Sequence, residues 1–437
     1  MKIAKMQGGC SQSDRHHSIL TGRTPVTRET EGLPRGTAEY KNRKDASRLL
    51  ADGIATFDID RANARHAGNR RFTAWYCGEK QWRRCKRTET GVEAVAKKYY
   101  PELDKLRGVA ILMVLLYHSI LVYPVDLTQN LWCKYLHSFL WMAEMPLFFL
   151  ISGFCFQYRG QYGTYLSGKI QRILVPHLVF GAADTLIRLM SNPLVHRTVD
   201  WHGALKEFFL DGANDWFLLS LFTIFLIAPL GAKLLQQKGG TAILFALALL
   251  LFLGYRYVPA VFSFRNSSTF SLYFVIGMIL RKKREQGLPA RIGFMLPAFV
   301  AGAVGFYLFM HQHWMVYLGA KIVADVTVGY VLRLLLELVT SLSICYVLYC
   351  LVIWFQGRSR IVDDFFVICG KYSLQMYLLD GYALVVTRML LIRVMRVEAP
   401  LLIILGNFAA DTAIVLAVTY WIIRRFKLTR VLCGLKS

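Results

Sequence analysis

The stretch Glu102-Leu103-Asp104-Lys105-Leu106-Arg107-Gly108 runs without a break into an apolar segment that ends in Tyr117-His118-Ser119. A helix rises about 1.5 Å and turns about 100° per residue, so Arg107 to His118 covers about 16 Å in almost three whole turns. His118 therefore returns to the face of Arg107, and Asp104 lies within roughly 60° of the same line. One stripe carries an ion pair at one end and an imidazole at the other. A neutral imidazole, with an ordinary pKa near about 6.5, can take a proton from a hydroxyl at neutral pH. That suits chemistry joining the two faces of a bilayer. Spacing alone leaves open a second use for His118, a packing contact to a neighbouring helix.

Other residues extend this set. Glu144 stands in Ala143-Glu144-Met145-Pro146-Leu147-Phe148-Phe149. Proline is tolerated at a helix start, which places Glu144 at the outer surface near the level of His118. There it can orient the imidazole, hold a hydroxyl, or be a plain interfacial carboxylate. Lys169 and Arg172 are three apart and share a helical face, with Pro176 in the first turn of the segment that follows. Together with Arg107 they can grip an anionic donor, because a guanidinium fork suits phosphate; membrane anchoring is the competing use. Asp184, Arg188, Arg333, Glu337, Asp380, Arg388 and Asp411 also fall inside apolar runs, where each ionisable group costs about 2.5–3.5 kcal/mol on insertion. Asp184/Arg188 and Arg333/Glu337 are spaced i, i+4 and can neutralise one another. His118 has no acid within four residues in its own segment. Ser152 is the nearest rival nucleophile, but a Ser-Gly pair in a membrane helix more often serves close packing, and no serine or thiol has an evident activating partner. The nine cysteines show no spacing for zinc or a disulfide framework, so no metal is expected.

The elements that must position these groups are membrane helices. Hydrophobic residues make up 55% of the 437 and come in runs near the 20 or so residues that a hydrocarbon core of about 30 Å requires. The net charge of +24 is spread over many positions, which argues against a nucleic-acid face; basic residues collect between apolar runs instead. Residues 1–98 form a polar tail with 21 Lys/Arg against 11 Asp/Glu and no apolar signal segment. Disorder fits that tail, as does a start assigned too far upstream, and Arg83-Arg84-Cys85-Lys86-Arg87 can rest on anionic lipid. Residues 99–437 form the membrane domain. Ten spans are expected, near 106–123, 138–157, 173–190, 216–235, 241–258, 267–280, 292–310, 329–354, 372–392 and 401–423, the sixth with the least defined start. The basic loops and tail fall on one side, which puts both termini in the cytoplasm. The outer loop near 191–215 carries His196, Arg197, Asp200, Trp201, His202, Asp211 and Asp215, polar and aromatic groups that can bind a hydroxylated acceptor or simply be solvated.

Five motifs in order then resemble one family. Leu103-Asp104-Lys105-Leu106-Arg107-Gly108-Val109-Ala110-Ile111 with His118 comes first, then Met145-Pro146-Leu147-Phe148-Phe149-Leu150-Ile151-Ser152-Gly153-Phe154. Lys169-Ile170-Gln171-Arg172-Ile173-Leu174-Val175-Pro176, Trp216-Phe217-Leu218 and Gly370-Lys371-Tyr372-Ser373-Leu374-Gln375-Met376-Tyr377-Leu378 follow. The chain resembles the acyltransferase type 3 family of integral membrane O-acyltransferases, in particular the branch grouped with fucose 4-O-acetylase. The resemblance implies an all-α polytopic bundle in a bacterial inner membrane. It implies transfer of an acyl group from cytoplasmic acyl-CoA, usually acetyl-CoA, to a hydroxyl of an extracytoplasmic or lipid-linked glycan of the cell envelope. It makes His118 the essential histidine, with Asp104 and Glu144 beside it among the catalytic candidates. Arg107, Lys169, Arg172, Trp216 and Asp380 become the substrate-binding candidates. Two positions depart from the family pattern: Asp380 and Glu144 stand where histidine is frequent. A transporter or flippase is the alternative for ten spans with buried charges, though no internal repeat relates 103–260 to 261–437, and carriers commonly show one. A membrane protein that recruits partners through its basic tail is a third reading.

Overall fold

The structure is a computed structural model that describes residues 100–120, 127–158, 160–191, 201–206, 208, 215–287, 292–311, 321–323 and 326–435. These belong to the unit Lys97–Ser437. The basic tail and its Arg83–Arg87 cluster lie outside the described residues, as do positions 192–200 and 209–214 of the loop expected on the outer side, with His196, Arg197, Asp200 and Asp211.

Each apolar run becomes a helix, since a chain in hydrocarbon must satisfy its backbone polar groups within itself. In order these are α1 (Pro101–Ile120), α2 (Leu131–Cys155), α3 (Tyr162–Lys169), α4 (Val175–Ser191), the short α5 (Trp201–Lys206), α6 (Trp216–Gln236) and α7 (Gly240–Leu253). Then follow α8 (Phe264–Glu285), α9 (Met295–Met310), α10 (Val328–Phe355), α11 (Arg360–Lys371), α12 (Ser373–Arg388), α13 (Pro400–Val418) and the short α14 (Lys427–Leu432). The described strands are a small antiparallel pair, Lys321–Val323 with Val326–Thr327. The described chain is thus an all-α membrane bundle with one minor ribbon.

Among the described residues, five helical segments are long and apolar enough to cross a membrane: Leu131–Cys155, Tyr162–Ile187, Trp216–Gln236, Val328–Phe355 and Pro400–Ile423. Gly240–Leu253 and Met295–Met310 are apolar but shorter. The other helices at expected spans, α1, α8 and α12, carry more polar residues for a physical reason. They pack inside the bundle, α1 against α2, α11, α12 and α13, and α8 against α2, α6 and α7. Protein neighbours replace lipid there, so the apolar composition of a lipid-facing helix is not required.

Three segments differ from the sequence expectation. α2 begins at Leu131, so Pro146 falls deep inside it. A mid-helix proline removes one backbone hydrogen bond, and here it sits in the buried stretch Met142–Phe149. The third segment is one run from Tyr162 to Ser191, with a π-helical turn at Ile170–Leu174 directly before Pro176; a wider turn is a common way to absorb such an interruption. The sixth is also longer, from Phe264, and its serines are satisfied there: Ser267 Oγ donates to the Ser263 carbonyl one turn back at 2.8 Å and Ser268 Oγ to the Leu251 carbonyl of α7 at 2.7 Å.

Two glycine crossings set the helix positions around the site. A Cβ at Gly108 would overlap the carbonyl of Phe366, and one at Gly370 the carbonyl of Asp104, so α1 and α11 touch backbone to backbone. The same holds for Gly153 against Phe274 and Gly277 against Leu150 where α2 meets α8. Small residues allowing close approach are a main source of helix association in lipid.

Candidate active site

His118 lies in the last turn of α1, where the helix meets α12 and α13. Its Nδ1 is bonded to Asp380 Oδ2 of α12. Asp380 is nearly sealed, its side chain 2% exposed, while the imidazole keeps 34%. A carboxylate on Nδ1–H holds the tautomer whose Nε2 lone pair is free to accept a proton. Arg388, two turns beyond Asp380, donates from Nη2 to the His118 carbonyl at 3.0 Å and so ties the last turn of α1 to α12. Asp411 of α13 is fully buried and within electrostatic reach of both Asp380 and Arg388.

Glu144 does not stand at a helix start. It is 1% exposed, because Pro146 and its neighbours lie inside α2 rather than at its start. Its Oε2 has no hydrogen-bond partner among the described residues, and it stands within electrostatic reach of Asp380 and of Tyr117. The imidazole is oriented by Asp380, from a helix distant in sequence, and Glu144 borders the same polar layer. Tyr377, one turn before Asp380, lies within reach of Asp380, Glu144 and Asp215. Phe217 packs on the Tyr377 ring at 5.4 Å, and Trp216 stacks on Phe270 at 5.5 Å. Trp216 thus helps form the aromatic wall beside the site. A second histidine, His137 of α2, stacks on Tyr117 at 4.4 Å with its Nε2 buried, and it lies within reach of His118. No sequence pattern singled out His137; only the antiparallel pairing of α1 with α2 brings it near.

The other end of α1 is built differently. Arg107 Nη1 donates to Asp104 Oδ1 at 3.2 Å and Nη2 to Cys155 Sγ at 3.0 Å. Asp104 stands about 21 Å of helix rise from His118. Lys105 is buried and pairs with Asp363 of α11 at 2.7 Å. Burial alone would raise the Asp363 carboxyl, but the Lys105 ammonium and the Gly357 N–H hold it below the usual carboxylate range. Lys169 directly precedes the π-helical turn Ile170–Leu174 and Arg172 lies within it, so their angular spacing is not that of an α-helix; Lys169 Nζ lies 3.3 Å from the centre of the Phe225 ring, and Arg172 is exposed. Of the i, i+4 pairs, Glu337 stays within reach of Arg333, whose guanidinium lies 5.8 Å from the centre of Phe309.

A buried carboxylate, an oriented imidazole and a basic end one bilayer leaflet away can together remove a proton from a hydroxyl and hold an anionic partner. No curated protein and no solved structure matches the chain. The family model described as an acyltransferase domain matches residues 100–424, which include every helix of this site. The chain belongs to the acyltransferase type 3 family.

Proposed function

We propose that this protein is an O-acyltransferase, related to the fucose 4-O-acetylase branch, that moves an acetyl group from cytoplasmic acetyl-CoA to a hydroxyl of an extracytoplasmic or lipid-linked glycan. The observation that carries this reading is the His118–Asp380 pair within an acyltransferase domain. His118 Nε2 takes the acceptor proton as the oxygen attacks the thioester carbonyl; the C–S bond breaks, and the proton passes to the departing thiolate. The protein consumes one acetyl-CoA and one hydroxyl and yields an ester and free CoA, with no net proton. Asp380 holds the imidazole and offsets its transient positive charge, as the carboxylate of a catalytic triad does.

The donor approaches at the Arg107 end, about 16 Å of helix rise from His118, a span matched to an extended pantetheine arm. Arg107 and the exposed Arg172 are the groups offered to its phosphates. Lys169, seated on Phe225, adds positive charge to that corner. Ten crossings, with both termini cytoplasmic in a bacterial inner membrane, fit the ten helical segments described at the expected spans and the basic loops between them. The test is His118→Ala in a strain with a measurable O-acetyl product. The expected result is loss of O-acetylation at equal protein level; unchanged acetylation removes the proposal.

A further inference from the structure

Asp380 spends only one oxygen on His118. Its Oδ2 takes the imidazole, while Oδ1 is buried with no hydrogen-bond partner among the described residues. On the neighbouring helix α13, Asp411 is 0% exposed, and its carboxyl oxygens have no hydrogen-bond partner among the described residues apart from the Asp380 carboxyl. α12 and α13 pack together, and the two carboxyl groups interact across that contact. Arg388 is the cation within reach of both. One guanidinium balances one carboxylate, and two like charges sharing a buried site do not both ionise.

We propose that Asp411 is a positioning residue held as the neutral acid, its O–H donating to Asp380 Oδ1 so that the Asp380 carboxylate presents Oδ2 to His118 Nδ1–H. This inference rests on the acyl-transfer reading above. The proton on Asp411 stays there through the reaction; it satisfies the second oxygen of Asp380 and stops that carboxylate from turning away from the imidazole. A buried acid kept neutral so that it can donate is an established device of enzyme sites. The sequence shows Asp411 only as a charge within an apolar run. The crossing of α12 and α13 gives it a partner.

The experiment compares Asp411→Asn, which keeps an N–H donor, with Asp411→Val, which keeps much of the shape and has none. Membranes from expressing cells receive labelled acetyl-CoA, and label entering extractable envelope glycan is counted at matched protein level. Asp411→Asn should hold kcat within about threefold of wild type, and Asp411→Val should lower it roughly tenfold to a hundredfold, the size of one lost charge-assisted hydrogen bond. The KM for acetyl-CoA should stay within about twofold in both, since a positioning group acts on the chemical step. A second readout needs no acceptor: solid-state nitrogen spectra of histidine-labelled protein, with His118 assigned by His118→Gln. The Nδ1-protonated tautomer should persist in wild type and Asp411→Asn and cease to dominate in Asp411→Val. An Asp411→Asn loss as deep as that of Asp411→Val overturns the proposal, as does wild-type kcat or tautomer in Asp411→Val. Should the Val variant not fold, Asp411→Ala replaces it. If neither folds, Asp411 belongs to the architecture and the proposal falls. No transfer by wild type, or full transfer by His118→Ala, sinks the acyl-transfer reading instead, and the tautomer still decides the role of Asp411.

Discussion

Asp380 is the residue whose replacement most sharply tests the site. Its Oδ2 accepts from His118 Nδ1, and its side chain is 2% exposed, so little water is available to substitute for it. A hydrogen bond to a charged group contributes about 1.5–3 kcal/mol, and 1.4 kcal/mol is about a factor of ten in rate. Asp380→Ala should therefore lower kcat roughly tenfold to a hundredfold through lost orientation and lost stabilisation of the imidazolium. Asp380→Asn should be worse, although it is the closer isostere. Its amide can donate to Nδ1, which places the ring proton on Nε2 and removes the lone pair that accepts the acceptor proton. Its loss should approach the whole contribution of a general base, about 10²–10⁴-fold. The assay is transfer of label from acetyl-CoA into envelope glycan by membranes at matched protein level, with kcat and the KM for acetyl-CoA measured separately. An Asp380→Asn protein as active as Asp380→Ala, or more so, would show that the tautomer of His118 is irrelevant and refute the reasoning.

Two further outcomes concern the scaffold. The folded-state Asp363 carboxyl lies below its ordinary value, held by Lys105 and the Gly357 N–H against burial. The stability it contributes is present above the unfolded carboxylate pKa of about 3.9 and is lost as pH falls through the lower folded value. The thermal midpoint of purified protein in detergent should thus drop below pH 4 more steeply in wild type than in Asp363→Asn, and parallel curves would dismiss the Lys105–Asp363 contribution. Gly153→Ala places a methyl group into the Phe274 carbonyl, and overpacking of this kind costs about 1–3 kcal/mol. Gly163 has nothing within 4 Å, and its change to Ala in a helix should be neutral or favourable by about 0.5–1 kcal/mol; equal midpoints for the two variants would contradict the crossing.

The amino-acid sequence by itself determined the class of molecule and the ends of its central helix. Long apolar runs leave a chain little choice but helices in lipid, because each backbone group must be satisfied internally. The i, i+3 spacing of Asp104 and Arg107 places their side chains together on one helix, and they form an ion pair. His118 stood out as a candidate base for the same local reason. What surrounds these ends was decided by tertiary structure. Asp380 follows His118 by 262 positions, and no periodicity within either helix says that the two meet. Glu144 read as interfacial because Pro146 resembles a helix start, yet α2 extends fifteen residues upstream of that proline, from Leu131. Lys169 and Arg172 read as neighbours on an α-helical face, yet Arg172 lies in a π-helical turn that changes the angular spacing. His137 and Asp411 entered the site through helix crossings alone. A sequence specifies which face of a helix is polar. Which other polar face it meets depends on where backbones can approach, and here the paired glycines at 108 and 370, and at 153 and 277, fix two of those approaches.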